Sequence, residues 1–87
     1  MLESAIQHKL ITMLKARGLT PIKINLCSMT GFPDLIVLGP RCSIFFVECK
    51  QEGKHPTQLQ QIRHEWLRTL GFRVYVYDGT QDVSTFF

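Results

Sequence analysis

The stretch that decides the fold runs Gly31-Phe32-Pro33-Asp34-Leu35-Ile36-Val37-Leu38-Gly39-Pro40-Arg41-Cys42-Ser43-Ile44-Phe45-Phe46-Val47-Glu48-Cys49-Lys50. Two short apolar runs, Leu35–Leu38 and Ile44–Val47, flank turn chemistry at Gly39-Pro40-Arg41. Runs of this length without alternation suggest strands buried on both faces. A loop of about four or five residues near Pro40–Arg41 joins them as a hairpin. That hairpin sets Asp34 opposite Val47 or Glu48, with directly opposed Cβ atoms roughly 4.5–5.5 Å apart. Two carboxylates at that distance repel each other, and nothing about folding asks for them. A hard divalent cation such as Mg²⁺ resolves the conflict, because it takes carboxylate, water and phosphate oxygens as ligands. Glu48 and Lys50 return to one face of the strand, about 7 Å apart along it. The Lys50 side chain then sits beside the cation, able as the ammonium to orient an attacking water or stabilise charge on phosphorus, or as the neutral amine to deprotonate that water. An isolated Glu-x-Lys is ordinarily a solvated strand end. The matching Asp34 after Gly-x-Pro sets this group apart.

Outward from the hairpin, Leu2 to about Arg17 reads as a helix. Leu2, Ala5, Ile6, Leu10, Met13 and Leu14 recur at helical spacing, and Gly18 stops it. Pro21 to Cys27 alternates Ile22, Ile24 and Leu26 against Lys23, Asn25 and Cys27, which predicts a strand with one buried face. Pro56-Thr57 opens a second helix that runs to Leu70 and ends at Gly71, and Arg73–Tyr77 is a fourth strand. A closing helical turn is expected in the tail to Phe87. The order is αβββαβ. Short connections make the first strands a meander, and the helix crossover makes the last strand parallel to its neighbour. The fold class is therefore α/β, a mixed sheet of about four strands flanked by helices, in a single domain over residues 1–87.

The 87 residues carry 45% hydrophobic and 20% charged side chains, the profile of one globular domain. No apolar run approaches the ~20 residues that span a bilayer, so no membrane role is expected. Met1-Leu2-Glu3-Ser4 carries no signal-peptide pattern. Cys27, Cys42 and Cys49 are an odd count without metal-ligand spacing and read as reduced thiols in a cytoplasm-like compartment. The net charge of +3 permits a polyanionic partner without demanding one.

Gly31-Phe32-Pro33-Asp34, thirteen residues, then Glu48-Cys49-Lys50 resembles the Asp…Glu-x-Lys core of the restriction-endonuclease-like, or PD-(D/E)XK, nucleases. Glu3 opening the first helix, Lys23 before the Gly-x-Pro-Asp loop, Gly53-Lys54-x-Pro56-Thr57-x-Leu59-Gln60 and Arg63-His64-Glu65-x-Leu67-Arg68-x-Leu70-Gly71 extend the match over residues 3 to about 78. This succession is similar to the stand-alone, phage-type members of the virus-type replication-repair nuclease (VRR-NUC) family. Leu35 departs from it, since many relatives carry Arg there.

The resemblance implies a restriction-endonuclease-like sheet and a Mg²⁺- or Mn²⁺-dependent endonuclease that hydrolyses DNA phosphodiesters and leaves a 5′-phosphate, with relatives associated with branched or flapped DNA such as Holliday junctions. It implies Asp34, Glu48 and the backbone carbonyl of Cys49 as metal ligands and Lys50 at the nucleophilic water. Glu3 and Gln60 would support the site. It also implies a bacterial cytoplasmic setting with a phage or prophage source.

Two of these residues admit a second reading. Glu3 shares the packing side of its helix with Ile6, Leu10 and Leu14, but an N-terminal acid is also favoured by the helix dipole. Gln60 completes a capping box with Thr57, and it also occupies the family's glutamine position ten residues after Lys50. His8, His55 and His64 lack partners at zinc spacing and read as surface residues. His55 and Lys54, beside Lys50, are candidates for phosphate contact. So are Lys23, Arg41, Arg63, Arg68 and Arg73.

A homodimer acting on branched DNA is expected, because one copy offers one metal site and little charge for gripping DNA. Its apolar surface would come from the Tyr75 and Tyr77 strand face, the Trp66 side of the second helix, or the Phe86-Phe87 tail. The rival reading is a non-catalytic nucleic-acid-binding module that kept the nuclease fold, and a third is a hydrolase of another phosphate ester. The intact Asp34, Glu48 and Lys50 set argues against the binding module.

Overall fold

The computed structural model describes residues 2–86. The elements are α1 (Glu3–Ala16), β1 (Thr20–Lys23), β2 (Leu35–Leu38), β3 (Ile44–Cys49), α2 (Gln58–Thr69), β4 (Arg73–Tyr77) and a closing 3₁₀ turn (Val83–Phe86). The sheet order is β1-β2-β3-β4, antiparallel for the first two pairs and parallel for β3 with β4. This is the expected αβββαβ mixed sheet. Helix α2 supplies the crossover that a parallel pair requires.

Register places the chemistry. Leu35 pairs with Val47 and Leu38 with Ile44, so Asp34, one residue before β2, falls opposite Glu48. The turn closing this hairpin is tight. The Ser43 N–H donates to the Pro40 carbonyl at 3.1 Å, and Arg41 and Cys42 both have positive φ, 58° and 61°. This is a two-residue turn of the I′ kind, which normally prefers Asn-Gly.

Alternation along each strand divides the sheet into two faces. Leu35, Val37, Phe45, Val47, Cys49 and Tyr77 face α1 and pack on Ile6, Leu10 and Leu14, closed by Val83 and Phe86 of the last turn. The Phe86 ring stacks on Tyr75 with centroids 4.4 Å apart. On the other face Phe46, Leu67 and Val74 form a smaller cluster, with Phe32, Ile36, Ile44 and Phe72 around it.

Three expectations need correction. Strand β1 stops at Lys23, and it does not bury the Ile22-Ile24-Leu26 side: Ile22 is 43% and Leu26 97% exposed. The last bond on this edge is from the Ile24 N–H to the Asp34 carbonyl at 2.8 Å. Beyond it the chain leaves the sheet, and the Ile22 side chain of β1 stays exposed. The tail is also not a free apolar end, because Phe86 is buried in the α1-side core. Phe87 lies outside the described residues. The third correction concerns His64, a buried residue of α2 rather than a surface one.

Candidate active site

Asp34 is held by both neighbouring strands. Its carbonyl accepts from Ile24 on the β1 side, and its Oδ2 accepts the Cys49 N–H of β3 at 2.9 Å. Proline at position 33 is buried and fixes the backbone that enters β2. Glu48, third residue from the end of this region's Glu-x-Lys, is only 1% exposed on the α2 side of β3. Lys50 is anchored by its own N–H, which donates to the Tyr77 carbonyl at 2.9 Å. Its Nζ reaches Glu48 Oε2 at 3.8 Å. Glu3 comes from the first turn of α1, and carboxylate oxygens of Glu3, Asp34 and Glu48 lie within 4.8 Å of one another. Glu3 is itself exposed, so it borders the cluster from solvent and is not a buried acid.

Both helices start at this end of the sheet. Glu3 and Gln60 sit in the first turns of α1 and α2, so the positive ends of two helix dipoles flank the carboxylates. Gln60 closes the capping box and also approaches Glu48. Its Oε1 accepts the Thr57 N–H at 2.9 Å, and its own N–H donates to Thr57 Oγ1 at 3.2 Å. The box uses up the amide oxygen and turns Nε2 towards Glu48 Oε2, 3.5 Å away.

Glu48 carries the electrostatic strain of the site. Burial pushes its carboxyl above the ordinary value of 4.5, and the charge of Asp34 adds to this, while His64 and Lys50 pull the other way. The Cys49 thiol faces the α1 side and is pushed up to about 12 by burial and then by Asp34, Glu48 and Glu3. It therefore stays protonated and is no thiolate ligand.

A donor set of three carboxylates is hard-oxygen chemistry and fits Mg²⁺ or Mn²⁺ better than a soft or tetrahedral metal. Beside it opens a depression of about 360 Å³ lined by Glu3, Lys50, Gln51, Lys54 and His55. A larger opening of about 620 Å³ lies at the other end of the sheet, among Arg17, Leu19, Pro40, Ser43 and Arg73. The carboxylates are not there, so size does not mark the chemistry.

The basic candidates separate by place. Lys54 and His55 border the depression, and Lys23 pairs with Leu35, next to Asp34. Arg41 and Arg73 lie at the opposite end of the hairpin and cannot share a phosphate with this site. Arg73 is occupied by the Phe86 carbonyl at 3.1 Å. Arg63 holds the Thr30 carbonyl at 3.0 Å and Arg68 the Val74 carbonyl at 2.8 Å, so one nitrogen of each is engaged by the backbone. The residue missed by sequence reasoning is His64. Its Nε2 lies 3.4 Å from Glu48 Oε1, with both side chains 2% exposed. Its spacing gave the signal: Gln60, His64 and Leu67 fall at i, i+4 and i+7 on the inward stripe of α2.

No family model matches the chain. A curated phage protein, "Putative nuclease p44" of Acyrthosiphon pisum secondary endosymbiont phage 1, is 36% identical over 83 residues, covering 95% of this chain and 88% of that protein. Among solved structures, one described as "VRR_NUC domain" superposes with a TM-score of 0.77 at 35% identity, covering 85% of this chain and 81% of that one. Sequence likeness over almost the full length and the shared fold agree. The chain belongs to the VRR-NUC family of nucleases.

Proposed function

We propose that the protein is a Mg²⁺- or Mn²⁺-dependent endodeoxyribonuclease selective for branched DNA, working as a homodimer. The observation that carries the metal reading is the convergence of Glu3, Asp34 and Glu48 oxygens within 4.8 Å beside the Lys50 ammonium. Carboxylates this close are mutually repulsive without a cation. Asp34, Glu48 and the Cys49 carbonyl are the proposed ligands, with Glu3 at the solvent border. A bound divalent cation would supply Lewis-acid stabilisation of charge on the phosphate.

The chain's own groups do the rest. Lys50, fixed by its bond to β4, positions the attacking water and, as the ammonium, stabilises the charge that develops on it and on the phosphate through a hydrogen bond. Gln60, locked by the capping box, holds Glu48 Oε2 in place. Lys54, His55 and Lys23 receive the DNA backbone, which positions the strand without reading its sequence.

The homodimer reading rests on α2. Its outer side exposes Ile62, Trp66 and Leu70 at 54%, 41% and 56%, a stripe with no cover in one copy. A second copy offers a second metal site and doubles the basic surface, which suits the approximate two-fold symmetry of a four-way junction. The Tyr75, Tyr77 and Phe86 aromatics are spent on the core and do not contribute.

Cleavage of single-stranded, duplex, flap and four-way-junction DNA, with Mg²⁺, Mn²⁺, Ca²⁺ or EDTA, tests the reading. Junction cleavage above duplex cleavage, dependent on Mg²⁺ or Mn²⁺, is expected. Equal rates at the same salt remove the selectivity. Sedimentation at micromolar concentration tests the dimer, and a species near the chain mass of 10.0 kDa contradicts it.

A further inference from the structure

Two buried polar atoms face each other on the α2 side of the sheet. Glu48 Oε1 and His64 Nε2 are 3.4 Å apart, and neither has a hydrogen-bond partner among the described residues. The separation is short enough for a bond and the alignment is not. A buried polar group left unpaired is costly, and a buried pair of this kind contributes little to stability compared with apolar residues of similar volume. Folding alone would favour an aliphatic residue at position 64, as it does at Leu67 one turn later. The other oxygen, Oε2, is the one that Lys50 and Gln60 approach, at 3.8 and 3.5 Å.

We propose that His64 is a positioning residue for Glu48. Its Nε2–H donates to Oε1 and fixes the rotation of the carboxylate, so that Oε2 is presented to the cation, Lys50 and Gln60. An ionised carboxylate can only accept, so Nε2 must carry the proton. Partners of this kind orient metal ligands and sustain their affinity. The proposal rests on the reading of Glu48 as a cation ligand and adds to it the residue that aims the ligand.

The test compares wild type, His64→Leu, His64→Gln and Asp34→Asn by Mn²⁺ calorimetry and metal-free melting. His64→Leu should melt near or above wild type, yet bind Mn²⁺ about tenfold or more weakly. His64→Gln, whose amide nitrogen can replace Nε2–H, should recover most of the affinity. A purely structural histidine would move melting and leave the rescue without effect. Wild-type affinity in His64→Leu, with a loss in Asp34→Asn, overturns the positioning role alone. Unchanged affinity in both overturns the metal reading and this proposal with it. Long-range ¹H–¹⁵N spectra of the wild-type imidazole need no variant to fold. They should show a proton on Nε2 and a shift of the ring nitrogens on adding Mg²⁺. An unprotonated Nε2 contradicts the proposal.

Discussion

The two faces of the sheet divide the work. The α1 face holds a cluster of eleven buried residues, all aliphatic, aromatic or Cys49. Among the described residues the α2 face buries only Phe46, Leu67 and Val74 as a hydrophobic cluster, and the buried charge and imidazole, Glu48 and His64, stand on that side. Strand β3 serves both. Val47 and Cys49 point into the dry core, while Glu48 and Lys50 alternate to the other face. In a small domain, whose stability is only about 0.05–0.15 kcal/mol per residue, a buried carboxylate on one side must be offset by packing on the other.

The largest expected effect breaks the α1 face. Leu10 is fully buried, and Leu10→Ala should cost about 2–5 kcal/mol in denaturant unfolding, a large part of the total. Ile62→Ala on the outer side of α2 should change monomer stability by no more than about 0.5 kcal/mol. Comparable losses from the two would refute the division.

Smaller, and opposite in sign, is Glu48→Gln in the metal-free protein. The folded carboxyl has a raised pKa, so between its ordinary value and the folded one the folded state binds more protons than the unfolded state. Its stabilising contribution is therefore full at low pH and lost as pH rises through the folded value. Glu48→Gln should melt above wild type at neutral pH, and the gap should close as pH falls towards 4.5. Lower melting in the variant at neutral pH would mean the carboxylate stabilises the fold.

Gln60 sharpens the comparison because its amide both closes a cap and reaches Glu48 Oε2. Gln60→Glu keeps the box and adds a further carboxylate beside Glu48, already close to Glu3 and Asp34. We expect cleavage to change by about tenfold or more while melting moves little. Thr57→Ala, which removes the cap acceptor of Gln60, should cost about 1 kcal/mol. A wild-type rate in Gln60→Glu would leave only the cap.

The smallest effect lies at the far end of the hairpin. Cys42 is held at φ 61°, where a non-glycine residue is strained by about 1 kcal/mol or more. Cys42→Gly should raise stability by about that much in urea unfolding and leave the cleavage rate unchanged.

Much of this was legible because the deciding signals are local. Apolar runs and the Pro40 turn define the hairpin and bring Asp34 opposite Val47 or Glu48, a choice that the observed register decides for Glu48. The Thr57-Gln60 spacing announces the cap. What was not legible depends on how far a helix reaches over a sheet. Ile22 and Leu26 alternate as a buried strand should, but both side chains are left exposed. His64 looks like a surface histidine until the inward stripe of α2 is aligned with Glu48, and Phe86 looks like a sticky end until the last turn folds back onto Tyr75. The Lys and Arg candidates divide for the same reason. Their residue type was evident, but whether each faces the site or holds a backbone carbonyl is a matter of tertiary placement.

The proposed chemistry depends most on Asp34, the acid anchored by both flanking strands. Junction cleavage with Mn²⁺ should be lost in Asp34→Asn and in wild type with EDTA. DNA binding by the variant should persist or tighten, because carboxylate–phosphate repulsion is relieved. Full cleavage by Asp34→Asn, or cleavage by wild type in EDTA, would contradict it.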